Sequence, residues 1–433
     1  MVRILVAGGA SLTLYLAALA LPSWGREFTR FLPLYGALVV LYGIAALTLA
    51  RSRRALDHRA LLAWIWVGAI AFRAAVLASS PSLSDDLYRY IWDGRVLLAG
   101  INPYRFAPTA PELAHLRNTL WPLINNPGLP TIYPPVLQLV FAAVASVAPT
   151  VLGVKAAMAA FDLGAGWFLM KALRARGRPR VEVLFYLWNP LVVVEFAGQG
   201  HADAVGIFFL ALALRAWAEN RAFRSGVALV LAGLVKFLPF VALPLLLPKL
   251  RWKWLLLPLL VALFYLPFLR DQVDALGSLG TYTAKWRSND FLFGLFYREP
   301  LTGSNEIPLW HAKLWAAAVP AAVWLATAAL RRPWPSVFSW TVGAALLVSP
   351  IVHPWYVIWL LPAALFVLHP AWWVWAALAA LAYIPLPGYL GDGIWTESGW
   401  IKALEYLPVL LLLPLQGILE VRAARGGTES DSG

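Results

Sequence analysis

Apolar residues in this chain come in long, almost uncharged runs rather than in the spacing of a helix with one buried face. Residues 4–21 and 34–50 are such runs, each close to the ~20 residues that cross ~30 Å of hydrocarbon. Others follow at about 60–79, 154–173, 311–330, 335–350, 354–369, 371–387 and 401–420. The pattern predicts an all-α polytopic membrane protein of roughly 12–14 transmembrane helices, forming a single integral membrane domain over 1–433. No small-residue cleavage site follows the first run, so it reads as a retained span.

Two apolar stretches do not read as simple crossings. Residues 134–149 are short and bounded by prolines, and predict a helix that dips in and returns. In residues 234–240, "LVKFLPF", Lys236 and Pro239 interrupt an apolar stretch. Two short helices with Lys236 at the outer turn are expected there, a geometry that survives only inside protein. The basic runs "RSRRALDHR" (51–59) and "KALRARGRPR" (171–180) are the strongest; weaker ones lie at 215–224, 249–253, 331–332 and 422–425. Placing all of them in the cytoplasm puts both termini inside and makes 80–132 a first external loop and 270–310 a second. The polar tail 422–433 is expected to be disordered.

Composition narrows the function classes. The chain has 433 residues and a formal charge of +13, but its Lys and Arg sit at span ends, where positive-inside topology and anionic membrane lipids account for them. Nucleic acid is therefore not an expected partner. With 0 cysteines there is no disulfide framework and no thiolate chemistry.

Only 13% of residues are charged, which makes residues 84–104, "SDDLYRYIWDGRVLLAGINPY", conspicuous. Ser84 can cap a helix whose first turn holds Asp85 and Asp86. Asp86, Arg89, Tyr90 and Asp93 then share one face, and Asp85 with Arg89 makes an i,i+4 pair. Helix-dipole and pairing effects alone would also explain acids at that position. Against this stands the company on the same side: "GINPY" (100–104), "TIYPP" (131–135), Lys155, "GQGHAD" (198–203), Lys236, "KWRSND" (285–290) and "SPIVHPWY" (349–356). Ionisable residues at membrane depth are costly and usually functional. Lys155, Lys236 and His353 are cations able to surround one phosphate, while Asp85, Asp86 and Asp93 could act as bases. Such a set suits group transfer from a lipid-linked phosphate. Tyr88, Tyr90, Trp92, Tyr104, Tyr133, Trp286, Trp355 and Tyr356 offer surfaces for a sugar, although most of the 23 tryptophans read as interfacial belt. The rival class, a secondary transporter or lipid flippase, would line a path with the same charges, but the paired half-structures common in carriers are not evident.

These motifs, in this order, resemble the polytopic GT-C glycosyltransferases, and most closely the bacterial polyprenyl-phosphate-mannose-dependent mannosyltransferases, including the glycosyltransferase family 87 group. The resemblance implies a GT-C fold with interfacial helices in the first external loop. It also implies an inverting transfer of a sugar, mannose above all, from a polyprenyl-phosphate donor to a hydroxyl of a lipid or glycan acceptor. The site would face the periplasmic or extracytoplasmic side of a bacterial-type inner (plasma) membrane. The base of that family maps onto Asp86 or Asp85; adjacency leaves the choice open, and Asp86 is favoured because it shares a face with Tyr90 and Asp93. Donor-phosphate cations map onto Lys236 and His353, with Lys155 and Arg89 as further candidates. Sugar or acceptor contacts are expected of Tyr90, Asp93, Asn102, Tyr104 and Tyr133 in the first loop. His201 and Asp203, oriented by Glu195, and then Lys285, Arg287, Trp355 and Tyr356 complete that set. The "DD" pair departs from strict "DxD" members, so neither a metal nor another cofactor is expected. His58 and His369 read as solvated surface, His311 as the start of a span, and Asp162 as a buried structural group.

Overall fold

The computed structural model describes residues 1–52, 58–269, 278, 280–281, 286–297, 309–367 and 369–429, without side chains at 309–310 and 422–429. The described residues are predominantly helical and contain no strand, only an isolated bridge between Ser288 and Ile351. Among the described residues, six helices are long and apolar enough to cross a membrane, and one pair bent by 59° would make a seventh. Four apolar helices are shorter: Val2–Ala18, Pro135–Val147, Ala222–Gly233 and Pro354–Ala364. The chain is an all-α multi-pass membrane protein, and breaks at Pro and Gly divide several of the expected crossings.

The chain forms two compact units, Met1–Trp286 and Arg287–Gly433. The first begins with α1 (Val2–Ala18), α2 (Phe28–Ser52) and α3 (Arg59–Leu77), continues through α4 (Asp86–Leu98) and α5 (Pro135–Val147), and reaches α6 (Val151–Ala175). The bent pair Arg180–Leu187 and Pro190–Gly198 follows. After it come α7 (Asp203–Ala218), α8 (Ala222–Gly233) and α9 (Leu256–Tyr265). Local signals set the helix starts: His58 Nδ1 accepts from Leu61 N ahead of α3, and Thr150 Oγ1 from Gly153 N ahead of α6. At the bend, Asn189 Oδ1 accepts from Leu191 N, and Pro190 occupies the first helical position. The stretch 134–149 is the 13-residue helix α5, about 20 Å long and too short to cross. The break at Lys236 is also present, between the end of α8 at Gly233 and a 3-10 helix beginning at Leu238.

α3, α6 and the bent pair are joined deep inside by one ion pair. Arg73 Nε lies 2.5 Å from Asp162 Oδ2, Tyr186 donates its hydroxyl to Asp162 Oδ1 at 2.8 Å, and Arg73 Nη1 donates to the Ala69 and Leu187 carbonyls. Asp162 is thus the buried structural group that the sequence implied.

In the second unit, α10 (Phe291–Phe296) precedes α11 (Leu309–Ala329) and α12 (Trp334–Leu347). Pro354–Ala364 is next; the helical segment α13 (Pro370–Asp392) and α14 (Gly399–Glu429) close the chain. Most of the expected loop 270–310 and the last residues of the expected tail lie outside the described residues. His369 corrects an expectation: it is 1% exposed rather than solvated. Its Nδ1 is 2.7 Å from Ser339 Oγ and its Nε2 is 3.6 Å from Glu420 Oε2, because the α13 N-terminus is packed inward against α12 and α14.

Removing one partner of a buried ion pair strands the other charge, a loss of about 3–5 kcal/mol. Asp162→Ala is expected to lower the thermal unfolding midpoint of the detergent-solubilised protein sharply, while Arg73→Met combined with Asp162→Leu recovers most of the loss.

Candidate active site

α4 carries the acidic cluster. Asp86 opens the helix, Asp85 flanks it, and Asp86 N donates to Ser84 Oγ at 3.3 Å. Gly94 allows α4 to close on α5, since a Cβ there would stand 2.3 Å from the Phe141 carbonyl oxygen. Arg89 does not pair with Asp85 as expected. Its Nε meets Asp93 Oδ1 at 2.8 Å and its Nη2 donates to Leu129 O at 2.9 Å. Both Arg89 and Asp93 are buried whereas Asp85 is exposed, so the desolvated cation finds its partner one turn deeper. Gln138 Nε2 donates to Thr131 Oγ1 at 2.9 Å and approaches Asp93 Oδ2 at 3.4 Å, so Arg89, Asp93 and Gln138 together strap the loop before α5 onto α4.

That strapped loop brings in a residue that the motifs did not single out. Asn125 Nδ2 donates to Asp86 Oδ1 at 2.6 Å and to Asp85 Oδ1 at 3.1 Å. The next residue, Asn126, has a φ of 44°, a left-handed turn conformation that Asn tolerates. The sequence signal was the turn tetrapeptide "NNPG" at 125–128.

The "GQGHAD" segment reaches the acids from the other side. It follows a π-helical turn, Val193–Gly198, a local geometry frequent at functional sites. Gln199 Oε1 accepts from Leu83 N at 2.9 Å, tying the segment to the chain just before the acids. Gly200 has a φ of 79°, and a Cβ there would lie 2.6 Å from Leu87 Cδ1; only glycine fits this turn closely against α4. His201 is thereby placed with Nδ1 3.9 Å from Asp86 Oδ2 and Nε2 3.2 Å from Glu195 Oε2. At the start of α7, Asp203 Oδ1 is 2.9 Å from Lys236 Nζ, which projects from the break after α8. Asp86 interacts electrostatically with His201, Asp203 and Lys236. Two acids, an amide, an imidazole flanked by carboxylates and an ammonium therefore converge from four separate segments.

Surrounding protein raises the carboxyl groups of both α4 acids. Asp85 can be touched by solvent but is walled on most sides. Desolvation first, and the neighbouring Asp86 second, push it up to about 6. Asp86 also lies above the usual carboxylate range, chiefly through burial, with His201 and Asn125 pulling the other way. Both therefore hold a proton more readily than an ordinary carboxylate.

Other expected site residues also make contacts within the scaffold. The Lys155 ammonium donates to Val76 O, Ser79 O and Ser79 Oγ at 3.1, 2.5 and 3.1 Å. These contacts hold its ammonium at the C-terminal end of α3. Arg89 is held in the same way. Asn102 Oδ1 accepts from Tyr104 N at 3.1 Å, its Nδ2 donates to Phe268 O, and Tyr104 donates to Tyr133 O at 2.6 Å. The Tyr90 ring stacks on Phe141 and meets Tyr133 edge-on, while its hydroxyl bonds to Ala202 and Tyr133 beside the acids.

Within the second unit, Ser288 N donates to Pro350 O and Val352 N to Ser288 O, so the "RSND" segment docks beside "HPWY". His353 stacks on Trp355 with ring centroids 4.5 Å apart, and Tyr356 stands edge-on to both. Arg287 pairs with Asp290, which also receives Lys402 Nζ at 2.6 Å. Lys285 lies outside the described residues. Among the described residues, no three His, Asp or Glu side chains gather in a way that could hold a metal ion.

The class that the fold defines is a multi-pass membrane protein, and its first unit carries a cluster of acids and a cation. The chain belongs to the MptA_B family: residues 4–251 match its alpha-(1->6)-mannopyranosyltransferase N-terminal domain, a stretch that contains the whole acid cluster from Asp85 to Lys236. It is accordingly a glycosyltransferase of a mannosyltransferase family. A comparison with curated proteins finds no match.

With both carboxyl groups raised, ionising them weakens the fold as pH climbs, yet supplies base only above their raised values. Transferase activity is therefore expected to fall on the acidic side, as the raised carboxyl group of the base takes up its proton. Asp85→Asn, by removing a like charge, should move that acidic limb of kcat/KM to lower pH, as a rate profile between about pH 5 and about pH 8 would read.

Proposed function

We propose that the protein transfers mannose from a polyprenyl-phosphate donor to a hydroxyl of a lipid or glycan acceptor, with inversion, at the external face of a bacterial-type plasma membrane. The observation that supports this reading most directly is the meeting of Asp86, Asn125, His201 and the Asp203–Lys236 pair at one place. Asp86 is the base: Asn125 holds one of its oxygens, and the other faces His201. The acceptor oxygen attacks the anomeric carbon from the side opposite the phosphate. As that bond forms, the carbon–oxygen bond to the phosphate breaks with its electron pair, and the acceptor proton passes to Asp86. The lipid phosphate gains negative charge as it leaves, and Lys236 is the cation poised to stabilise it. Tyr90 and Tyr133 border the same acids and are candidate sugar contacts. In the second unit, His353 stacked on Trp355 beside Tyr356 has the imidazole and aromatic chemistry to bind a phosphate or a sugar face.

The external placement rests on the long helices of the first unit. The acid cluster lies near the C-terminal end of α3 and the N-terminal end of α6, whereas the basic runs 51–59 and 171–180 flank the opposite ends of the same helices. With 19 residues, α3 separates the two by about 28 Å, and basic ends face the cytoplasm.

Asp86→Asn should cut transfer from a labelled polyprenyl-phosphate mannose by roughly 10²–10⁴-fold while donor binding persists. Undiminished turnover in that variant removes the base assignment. Transfer from a sugar nucleotide, with none from the lipid donor, removes the donor assignment.

A further inference from the structure

The two densest basic runs of the sequence are separated by more than a hundred residues, yet they end at one cleft. It has a volume of about 340 Å³, and its rim holds Arg59 from the start of α3, Lys171 and Arg174 from the last turns of α6, and Arg180 just beyond. Its wall is apolar: Trp66 and Trp167 meet edge-on with centroids 6.2 Å apart, and Lys171 Nζ lies 4.6 Å above the Trp167 ring. Among the described residues, no acid lines it, and Glu182, the nearest acid after the second basic run, is paired with Arg178. None of these residues takes part in the chemistry proposed above, which sits at the other ends of α3 and α6.

We propose that this cleft binds one anionic phospholipid of the bilayer, its phosphate among Arg59, Lys171 and Arg174 and the first part of an acyl chain against Trp66 and Trp167. Positive-inside bias explains why cations lie at span ends, but it requires neither a cavity nor an aromatic wall. The volume suits a headgroup with its first methylenes, and basic pockets between membrane helices on the cytoplasmic side favour anionic headgroups. Charge selects the lipid class: the described rim offers Arg59, Lys171, Arg174 and Arg180, so a zwitterionic choline or ethanolamine headgroup would bring an ammonium against like charge. Trp167 is 47% exposed, consistent with a ring that faces lipid and awaits a chain to cover it.

Native mass spectrometry of the delipidated full-length protein, mixed with equal amounts of phosphatidylglycerol and phosphatidylcholine, tests this directly. Preferential phosphatidylglycerol binding is expected, falling about fivefold for each cation removed in Lys171→Gln and Arg174→Gln. Trp167→Ala should weaken retention of the lipid without reversing the preference. Each single variant reads the same cleft, and an unchanged unfolding midpoint in lipid-free detergent marks a variant as folded. Equal binding of the two lipids, or a preference that survives both substitutions, overturns the proposal. So does stabilisation by inorganic phosphate alone to the same extent as by the lipid. Because mannosyl transfer is not the readout, the result stands apart from the proposed reaction.

Discussion

A charge buried among apolar helices has to be met by a partner from another part of the chain, because the bundle interior cannot solvate it. That constraint organises the first unit. Arg73 is met by Asp162, Arg89 by Asp93, the Lys155 ammonium by the oxygens at the end of α3, and Lys236 by Asp203. Each of these except the local Arg89–Asp93 pair ties together segments far apart in sequence. The helices that carry them are therefore fixed in register by a few strong contacts as well as by general apolar packing.

The same constraint separates structural from reactive polar groups. At Lys155 the contacts of the ammonium with the end of α3 tie α6 to that helix. Asp85 and Asp86 differ: an amide bonds to both, and an imidazole lies 3.9 Å from Asp86. Burial outweighs these contacts, so their proton affinity rises towards the range useful to a base. Gly94 and Gly200 make this possible by letting α5 and the His201 turn approach α4 more closely than a side chain would permit.

The second unit shows a related logic in a more polar setting. Glu405, buried at 1% exposure, accepts from Asn289 Nδ2 and Trp375 Nε1, while Glu397 accepts from Asn289 N and Trp395 Nε1. These contacts hold the 288–290 segment, and its backbone bridge to 350–352 in turn supports the turn that presents His353. "RSND" and "HPWY", distant in sequence, form one neighbourhood inside this unit.

The amino-acid sequence alone was enough to establish the all-α membrane class, the short Pro-bounded helix at α5, the break at Lys236 and the acidic loop, because run length, proline and charge are local properties that hydrocarbon thickness and backbone geometry read directly. It also pointed to the mannosyltransferase family through ordered motifs. It could not tell that Arg89 prefers Asp93 to Asp85, that Lys155 bonds to the α3 terminus, that His369 is buried, or that Asn125 bridges the two acids. Helical spacing allowed the wrong Arg89 pairing as readily as the right one, and Asn125 looked like any turn residue. Those outcomes depend on how deeply each group is buried and on which distant segment lies opposite it, and only the packed tertiary structure sets either.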